Sequence, residues 1–478
     1  MRTTLGAVAT ATAGVLSGEP GLAITGITID SRTAPPGSLF VALPGERVDG
    51  HAFAAQAVSA GAVAALVTRP VSVPHVLVGD AVAGLAALAA AHRQTLPARV
   101  TGITGSVGKT GTKDLLAEVL EQQGPTVATP GSYNNDLGLP LTVLAADATT
   151  AHLVVEMGAR GAGDIARLCA IARPHTAVVL NVGSAHLGQF GSRQAIAAAK
   201  SELVSGASEG AVLNADDPLV AAMSQLATGQ VRTFGVRGDV RAERVELDAE
   251  GHPRFVLVAE QGRADVGLRL VGAHQVPNAL AAATVALGYG LGIEQVAAAL
   301  SAAVPRSRWR MEITERPDGV TVINDAYNAN PESVRAALDA LSVLSRGRGR
   351  RSWAVLGVMG ELGAGADEAH HAIGRYASEL DVGRLLVVGE GARPISAGAS
   401  MGRGPAPQAA WVPDLNAAIE VLLRELRAGD VVLVKASRAA GLEQVAAAVL
   451  AAEPPHRGAG RSAVRDNPDV AHRNEQRR

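Results

Sequence analysis

The chain contains little of what marks several specialised protein classes. Its 478 residues include one cysteine, Cys169, aromatic residues make up 3%, and the formal net charge is −2. A single cysteine excludes a disulfide scaffold within the chain and fits a reducing compartment such as the cytoplasm. The near-neutral charge argues against nucleic acid as the main partner. With so few aromatic residues, the cores must be built from Ala, Val and Leu.

Long hydrophobic runs are also missing. Nothing in the sequence approaches the roughly 18 strongly apolar residues in a row that would predict a membrane span. The Ala-rich first 18 residues contain four threonines. They are therefore less hydrophobic than the central part of a signal peptide, and we interpret them as an ordinary first helix or strand.

The length predicts about three domains. Residues 1–97 contain short β-like runs between Ala-rich helical stretches and end at Leu96-Pro97. From Val100 onward, apolar runs alternate with helical stretches, which favours a parallel sheet covered by helices. A polar section at about 237–270 predicts a small antiparallel excursion. After Val304-Pro305 a third α/β unit follows to residue 454, and the Arg- and Gly-rich tail, 455–478, is predicted to be disordered.

The most informative segment runs from Val100 to Lys113. A β-branched run leads into Thr104-Gly-Ser-Val-Gly-Lys-Thr110, and a helical pattern follows from Thr112 to Gln122. Glycines let backbone N–H groups point at an anion, and the N-terminus of the helix adds partial positive charge. Lys109 can reach the β- and γ-phosphates and Thr110 can ligate Mg²⁺. The usual pattern has glycine where this chain has Ile103, so the loop is a variant. It predicts hydrolysis of, or transfer from, a nucleoside triphosphate.

Polar residues follow the predicted strands beside this loop. Glu156 ends the run that begins at Leu153, at an edge where parallel sheets bind their ligands. It is either a Mg²⁺ ligand or a surface glutamate. His186 follows the next strand and is either a second metal ligand or a polar loop residue. Lys200 lies in a predicted helix, where a lysine ordinarily faces solvent.

Two further segments combine amides with other polar groups. Asn278 opens a predicted helix, where its amide either meets the edge of a base or caps the helix. Between a strand and a helix that starts at Pro331 lies Asp325-Ala-Tyr-Asn-Ala-Asn-Pro331. A turn needs one or two polar residues, whereas this segment has four, which favours a functional role.

Taken together and in this order, these segments resemble the Mur ligase family, the ATP-dependent amide-bond ligases that build the stem peptide of peptidoglycan. The resemblance covers about residues 20–450. Besides the phosphate loop and the Asp325 segment, it rests on motifs along the whole chain: Asp30-Ser-Arg32, Gly37-Ser-Leu-Phe-Val-Ala-Leu-Pro-Gly45, Asp49-Gly-His-Ala-Phe53, Ser132-Tyr-Asn-Asn-Asp-Leu-Gly-Leu-Pro-Leu141, Gly357-Val-Met-Gly-Glu-Leu-Gly363, His371 and Lys435-Ala-Ser-Arg438. The Asp325 and Ser132 segments favour the branch of the family that adds D-alanyl-D-alanine.

The resemblance implies an α/β fold of three domains. Residues 1–97 would form a small uridine-nucleotide domain, 98–304 a central P-loop ATPase-like parallel sheet, and 305–454 a Rossmann-like C-terminal domain. The implied reaction joins D-alanyl-D-alanine to UDP-N-acetylmuramoyl-tripeptide through an acyl phosphate, with ATP and two Mg²⁺ ions. The implied setting is cytoplasmic synthesis of peptidoglycan precursors by a monomer.

The resemblance also implies residue roles. The catalytic set would be Lys109, Glu156, His186 and Lys200. ATP would be bound by Thr104, Gly105, Ser106, Val107, Gly108, Lys109, Thr110, Asn278, Arg310 and Asp325. Metal ligands would be Thr110, Glu156, His186 and a carbamylated Lys200. The UDP-substrate would be bound by Ser31, Arg32, Arg47, Asp49, His51, Asn134, Asn135 and Asp136. The D-alanyl-D-alanine side would be formed by Tyr327, Asn328 and Asn330.

One implied role depends on alignment register. Arg308-Trp-Arg310-Met-Glu312 departs from the commoner Gly-Arg-Met-Glu form of the family because it carries Trp309. Register favours Arg310 over Arg308 as the partner of the γ-phosphate.

Three alternatives remain at this point. One is the ligase of the same family that adds the third stem residue, which the Asp325 segment and Asn134-Asn135 disfavour. A folylpolyglutamate synthase is a more distant relative that should lack the Asp49-Gly-His51 motif. A regulatory P-loop ATPase belongs to another class, and it would not need so many polar strand ends.

Overall fold

The computed structural model describes residues 1–45, 48–347, 349–404 and 407–452. Arg47 and the tail 455–478 lie outside the described residues. The fold is α/β, as predicted, and contains three main sheets in chain order.

The N-terminal part is a small mixed α/β unit. Its five-stranded sheet has the order β2-β7-β6-β5-β4, with β2 antiparallel and the other neighbours parallel, and β1 pairs with β3 separately. The elements are β1 Thr3–Thr4, α1 Leu5–Thr12, β2 Val15–Ser17, β3 Ala23–Ile24, β4 Gly26–Thr28, β5 Ser38–Val41, α2 Ala54–Ala60, β6 Ala64–Val67, β7 His75–Leu77 and α3 Ala81–Arg93.

Local sequence explains where these elements begin and break. The Thr4 hydroxyl accepts the backbone N–H of Ala7, and Asp80 accepts the N–H groups of the first turn of α3. The first residues form β1, α1 and β2, which confirms the interpretation as ordinary structure. Residues 23–28 form two strands separated at Thr25, because β3 pairs with β1 whereas β4 pairs with β5.

The central part is built on a six-stranded, fully parallel sheet with the order β13-β12-β11-β8-β10-β9. All residues of β10 and β11 are buried, which explains their continuous apolar character. The elements are β8 Arg99–Thr104, α4 Lys109–Leu120, β9 Thr126–Ala128, α5 Gly138–Ala145, β10 His152–Glu156, α6 Asp164–Ala172, β11 Thr176–Val179, α7 Leu187–Phe190, α8 Arg193–Gly206, β12 Gly210–Asn214, α9 Pro218–Ala221 and β13 Gln230–Phe234.

The predicted antiparallel excursion is confirmed. Strands β14 Arg241–Leu247, β15 Pro253–Ala259 and β16 Gly262–Gly267 form a three-stranded antiparallel sheet. Helices α10 Gln275–Gly288 and α11 Ile293–Ala302 follow, and α10 packs against α4. The helix after the phosphate loop begins at Lys109, earlier than the predicted Thr112, so Lys109 and Thr110 both belong to its first turn.

The C-terminal part contains a second six-stranded sheet, with the order β17-β18-β22-β19-β20-β21 and only the edge strand β17 antiparallel. The elements are β17 Glu312–Glu315, β18 Thr321–Asn324, α12 Pro331–Arg346, β19 Ser352–Leu356, α13 Ala366–Glu379, β20 Arg384–Val388, α14 Pro394–Ser400, β21 Gln408–Val412, α15 Leu415–Glu425, β22 Val431–Lys435 and α16 Glu443–Ala451. Across the described ranges, we find no helix that is both long and apolar enough to cross a membrane.

Two features of the packing position the candidate site. Buried side chains from one face of the N-terminal sheet and one face of the central sheet form one continuous apolar cluster. The carboxyl ends of β8 and β10 in the central sheet and of β18 and β22 in the C-terminal sheet border the same cleft. Residues that follow these strands are therefore brought together from two sheets.

Candidate active site

A cleft of about 930 Å³ lies between the central and C-terminal sheets. Eighteen of the predicted site residues line it: Gly105, Ser106, Val107, Gly108, Lys109, Thr110, Asn134, Asn135, Asp136, Glu156, His186, Lys200, Asn278, Arg310, Asp325, Tyr327, Asn328 and Asn330. Thr104 is fully buried at the end of β8 and is not part of this lining. The sequence motifs that lie far apart along the chain therefore share one cavity.

Two asparagines, Asn181 and Asn278, contact the backbone of the phosphate loop. Asn181, just after β11, accepts the backbone N–H groups of Ser106 and Val107 through its side-chain oxygen at 3.0 and 2.9 Å. Gly108 has a φ of 85°, and a Cβ there would lie 2.5 Å from Oδ1 of Asn278. Only glycine fits this position without displacing the asparagine.

Lys109 is folded onto the loop that carries it. Its Nζ donates to the carbonyl oxygen of Gly105 at 2.7 Å. Burial lowers the pKa of Lys109, Glu156 opposes this shift, and Arg310 adds to it. Two cations thus converge on the loop, an arrangement that suits a polyanionic ligand.

Three oxygen- and amide-bearing side chains meet beside the loop. Thr110 Oγ1 donates to Glu156 Oε2 at 2.7 Å, and Asn134 Nδ2 donates to Glu156 Oε1 at 2.6 Å. Glu156 is only 1% exposed, so it is not the surface glutamate of the alternative interpretation. Ser132, which begins one of the quoted motifs but was given no role of its own, contacts Thr110 Oγ1 at 2.8 Å.

The predicted second-metal residues, His186 and Lys200, also line the cleft. His186 has a left-handed backbone with a φ of 62°, and its Nδ1 contacts a carboxylate oxygen of Glu361 in the C-terminal part. Burial lowers the pKa of His186, and Glu361 counteracts this. Lys200 is 5% exposed and lines the cleft, so the expectation of a solvent-facing lysine is wrong. Burial, with a contribution from Lys109, lowers the pKa of Lys200 to about 7.

Asn278 does not cap its helix. It lies in the first turns of α10, with its Nδ2 donating to Gln275 Oε1 at 3.0 Å and its Oδ1 accepting from Thr112 at 3.4 Å. The asparagine is 8% exposed and faces the phosphate loop. The capping alternative for Asn278 is therefore excluded.

Arg310 crosses the cleft. Its guanidinium lies 4.2 Å over the ring of Tyr327 in the C-terminal part and donates to Ser132 in the central part. Within the described residues, the buried Nε of Arg310 has no hydrogen-bond partner. An arginine with an unused buried donor at a cationic loop is well suited to an incoming anion. The side chain of Arg308 does not line the cleft, which supports the register that favours Arg310.

Asp325 and the buried Lys435 form an ion pair at the ends of the neighbouring strands β18 and β22. Lys435 Nζ lies 2.5 Å from Asp325 Oδ2 and also donates to the carbonyl oxygen of Asn328 at 2.9 Å. Asp325 Oδ1 accepts the backbone N–H of Met311 at 3.1 Å. These contacts fix the loop that follows β18.

The asparagines of this loop have different roles. Asn330 caps α12: its side chain accepts the N–H of Ser333 at 2.8 Å, and Pro331 occupies the first helical turn. The side-chain oxygen of Asn330 is therefore used to cap its own helix, a role that the sequence analysis did not predict. Asn328 Oδ1 accepts the adjacent N–H of Ala329 at 2.9 Å. Asn328 and Tyr327 both line the cleft.

The N-terminal candidates lie apart from this cleft. Asp49 accepts the backbone N–H and the ring Nδ1 of His51 and is also paired with Arg69 at 2.6 Å. His51 Nε2 accepts the backbone N–H of Thr68 at 2.9 Å. Arg32 is exposed and paired with Asp30 at 2.7 Å. Ser31 lies between these two residues. The Asp30–Arg32 segment follows strand β4 of the N-terminal sheet.

Two connecting residues escaped sequence reasoning. Glu332 at the start of α12 accepts the backbone N–H of Ser184 at 2.8 Å and its hydroxyl at 3.0 Å, which joins the C-terminal and central parts. Glu361 also joins them through His186. Glu361 lies in the Gly357–Gly363 motif, so a signal was present, whereas nothing in the local sequence distinguishes Glu332 from a surface residue.

Comparison with known families gives matches to three domain types. Residues 23–105 match the catalytic domain of the Mur ligase family, residues 103–286 match the Mur ligase middle domain, and residues 309–438 match the glutamate ligase domain of Mur ligases. The three matches follow one another along the chain in the order of the three sheets.

Individual relatives match this chain along nearly its whole length. The chain is 50% identical over 476 residues to the UDP-N-acetylmuramoyl-tripeptide–D-alanyl-D-alanine ligase of Mycobacterium tuberculosis, covering 90% of this chain and 92% of that protein. A crystal structure of MurF from Acinetobacter baumannii aligns with a TM-score of 0.83 and 33% identity, covering 94% and 99% of the two chains. The MurF ligase of Thermotoga maritima in complex with ADP aligns with a TM-score of 0.75 and 31% identity, covering 89% and 96%.

Proposed function

The chain belongs to the Mur ligase family, and from this premise we propose that it joins D-alanyl-D-alanine to UDP-N-acetylmuramoyl-tripeptide at the expense of ATP. The relatives that match along most of its length are named for that activity or as MurF. The single observation that carries the proposal is the shared cleft, which brings the phosphate loop, Arg310 and the Asp325–Pro331 segment together.

The chemistry requires activation of a carboxylate, because a carboxylate is a poor electrophile. ATP would bind at the phosphate loop, and the similar MurF ligase of Thermotoga maritima forms a complex with ADP. Lys109 and Arg310 would screen the repulsion between the γ-phosphate and the attacking carboxylate of the tripeptide, permitting in-line transfer. The resulting acyl phosphate would then be attacked by the free amine of D-alanyl-D-alanine, giving an amide, ADP and phosphate.

The side chains beside the loop fit Mg²⁺. Thr110 and Glu156 offer a hydroxyl and a carboxylate oxygen, which are the hard ligands that this ion prefers. The ion would neutralise phosphate charge when bound. Asn134 and Ser132, which contact Glu156 and Thr110, would orient these ligands.

His186 and Lys200 are proposed for a second Mg²⁺. A protonated ammonium would repel the ion, whereas a carbamate on Lys200 would offer oxygen ligands. Carbamate formation needs the neutral amine, and the pKa of about 7 that burial and Lys109 give Lys200 favours it. The contact of Nδ1 with Glu361 holds the His186 ring in place beside the cleft.

The acyl phosphate must be protected from water. Ser184 with Glu332, and Gly188 with the carbonyl oxygen of Glu361 at 3.2 Å, join the central and C-terminal parts beside the cleft. These contacts support a closed arrangement of the two parts during the reaction.

The division of labour among the parts of the chain is also a proposal. Residues 1–97 would bind the uridine nucleotide through the Asp30 and Asp49 segments, with Asn134, Asn135 and Asp136 contacting the remainder of that substrate. Residues 98–304 would bind ATP. Residues 305–454 would bind D-alanyl-D-alanine through Tyr327 and Asn328. Asn278 and Asp325 would contact the adenine and ribose of ATP. We propose that the protein acts as a monomer in the cytoplasm.

The deciding experiment measures phosphate release by the purified full-length chain. Release should require ATP, Mg²⁺, the UDP-linked tripeptide and D-alanyl-D-alanine together, and mass spectrometry should show the pentapeptide product. Turnover with a UDP-linked dipeptide and a single amino acid would instead indicate the ligase that adds the third stem residue. Steady ATP hydrolysis without either substrate would indicate a regulatory ATPase.

A further inference from the structure

The residue before Arg310 has an unusual conformation. Trp309 has a φ of 58°, and Met311 has a φ of 49°. Eight non-glycine residues of the described chain have a positive φ, and these two flank Arg310. A large side chain is unfavourable there, whereas glycine adopts this region freely. A tryptophan with this backbone conformation therefore needs a compensating contact.

The indole ring has a defined partner. Arg438, which follows β22 in the Lys435–Arg438 motif and lines the cleft, lies 4.3 Å from the centre of the Trp309 ring. Glu443 at the start of α16 holds the same guanidinium at 2.7 Å. The ring therefore rests on an arginine that is already oriented, an arrangement favourable to a cation–π contact.

The backbone on both sides of Arg310 is attached to the loop after β18. The carbonyl oxygen of Trp309 accepts the N–H of Tyr327 at 3.2 Å, and the N–H of Met311 donates to Asp325 at 3.1 Å. Glu312 accepts the N–H of Trp309 at 3.0 Å. Arg310 is thus built into the C-terminal part, while its guanidinium reaches Ser132 in the central part.

We propose that Trp309 is a positioning residue for Arg310: its ring, stacked on Arg438, holds the left-handed turn that presents the Arg310 guanidinium to the phosphate side of the cleft. This inference rests on the proposed function. A glycine at position 309 adopts the same turn but also many others, so it leaves Arg310 less fixed.

Substitutions at position 309 separate the ring from the backbone. Trp309→Gly relieves the left-handed backbone but removes the stack, Trp309→Ala removes the stack and keeps the strain, and Trp309→Phe keeps an aromatic face. We expect Trp309→Gly and Trp309→Ala to lose about 10- to 100-fold in kcat/KM for ATP, and Trp309→Phe to retain most of it, because misplacement of a charge-stabilising group carries losses of that order. Trp411→Ala is the matched control, since it removes another arginine–tryptophan stack, with Arg393, away from the cleft.

A binding measurement keeps the inference separate from the proposed function. Calorimetric titration of each folded variant with Mg²⁺ and a non-hydrolysable ATP analogue needs no ligase activity. We expect weaker binding by Trp309→Gly and unchanged binding by Trp411→Ala. In a double-mutant cycle, the losses of kcat/KM caused by Trp309→Gly and by Arg438→Met should be less than additive. Trp309→Gly with wild-type affinity and kcat/KM would overturn the inference, as would equal losses in Trp309→Phe and Trp309→Gly. Absence of ligation by the wild-type protein would overturn the proposed function and leave the binding comparison intact.

Discussion

Thr110 Oγ1 donates a hydrogen bond of 2.7 Å to Oε2 of Glu156. The two residues come from the first turn of α4 and from the end of β10, which is paired with β8 directly before the phosphate loop. Parallel pairing of β8 and β10 therefore determines that a hydroxyl and a carboxylate meet beside the loop. Their contact is the structural basis for the proposed metal site.

The phosphate loop gives the first prediction. Lys109→Ala should lower the rate of ligation by about 1000-fold or more, since loss of a single donor to a developing charge already costs about 100- to 1000-fold. The fold should persist because, among the described residues, the Nζ of Lys109 bonds only its own loop, at Gly105. Substrate-dependent phosphate release and a thermal melt would test this. A variant with wild-type release would exclude this loop as the catalytic ATP site.

The N-terminal group gives the second prediction. Asp49→Ala should raise the KM for the UDP-linked tripeptide, with smaller effects on the KM for ATP and for D-alanyl-D-alanine. It should also lower stability, because Asp49 caps the short helix that contains His51.

Asp80→Ala is the matched control for Asp49. It removes the cap of α3 in the same part of the chain and should lower stability without changing any KM. If both variants changed the KM for the UDP-linked tripeptide equally, the effect of Asp49 would be one of folding, not of binding.

The C-terminal loop gives the third prediction. Asn328→Ala should lower kcat/KM for D-alanyl-D-alanine by about 10- to 100-fold, the loss expected for one hydrogen bond to a charged group. The KM for the UDP-linked tripeptide should change little. Asn330→Ala should instead lower the melting temperature, because it removes the cap of α12. An effect of Asn328→Ala on the same substrate as Asp49→Ala would contradict the assignment of the two substrates to different parts of the chain.

Sequence patterns predicted the parts of the site that depend on local structure. The phosphate loop follows from a strand, glycines and a Lys-Thr pair, and Glu156 follows from the rule that ligands meet at the carboxyl ends of parallel strands. The contacts between sheets were not predictable in this way. Glu332 and Glu361 contact the central part only because two separate sheets dock, and no local periodicity encodes that docking.

The burial of Lys200 was likewise not predictable from local sequence patterns. Its helix predicts a solvent-facing lysine, and only the family resemblance indicated otherwise. The residue is 5% exposed because the cleft wall encloses the face of α8 on which it lies. Burial of a single lysine depends on its tertiary surroundings, whereas residue propensity and helical period report only the local chain.

The last prediction tests what Lys200 does. If it carries a carbamate beside His186, Lys200→Ala should be almost inactive, and acetate at high concentration should restore part of the rate by occupying the vacated anionic position. The same acid should not rescue Lys109→Ala, from which a cation has been removed. If Lys200 took no part in the reaction, its truncation would be kinetically silent. Full activity of Lys200→Ala would therefore exclude the carbamate. For a variant that is inactive and not rescued, mass spectrometry of the wild-type protein in ¹³C-labelled bicarbonate, after chemical trapping of the carbamate, decides between a carbamate and a free amine at Lys200.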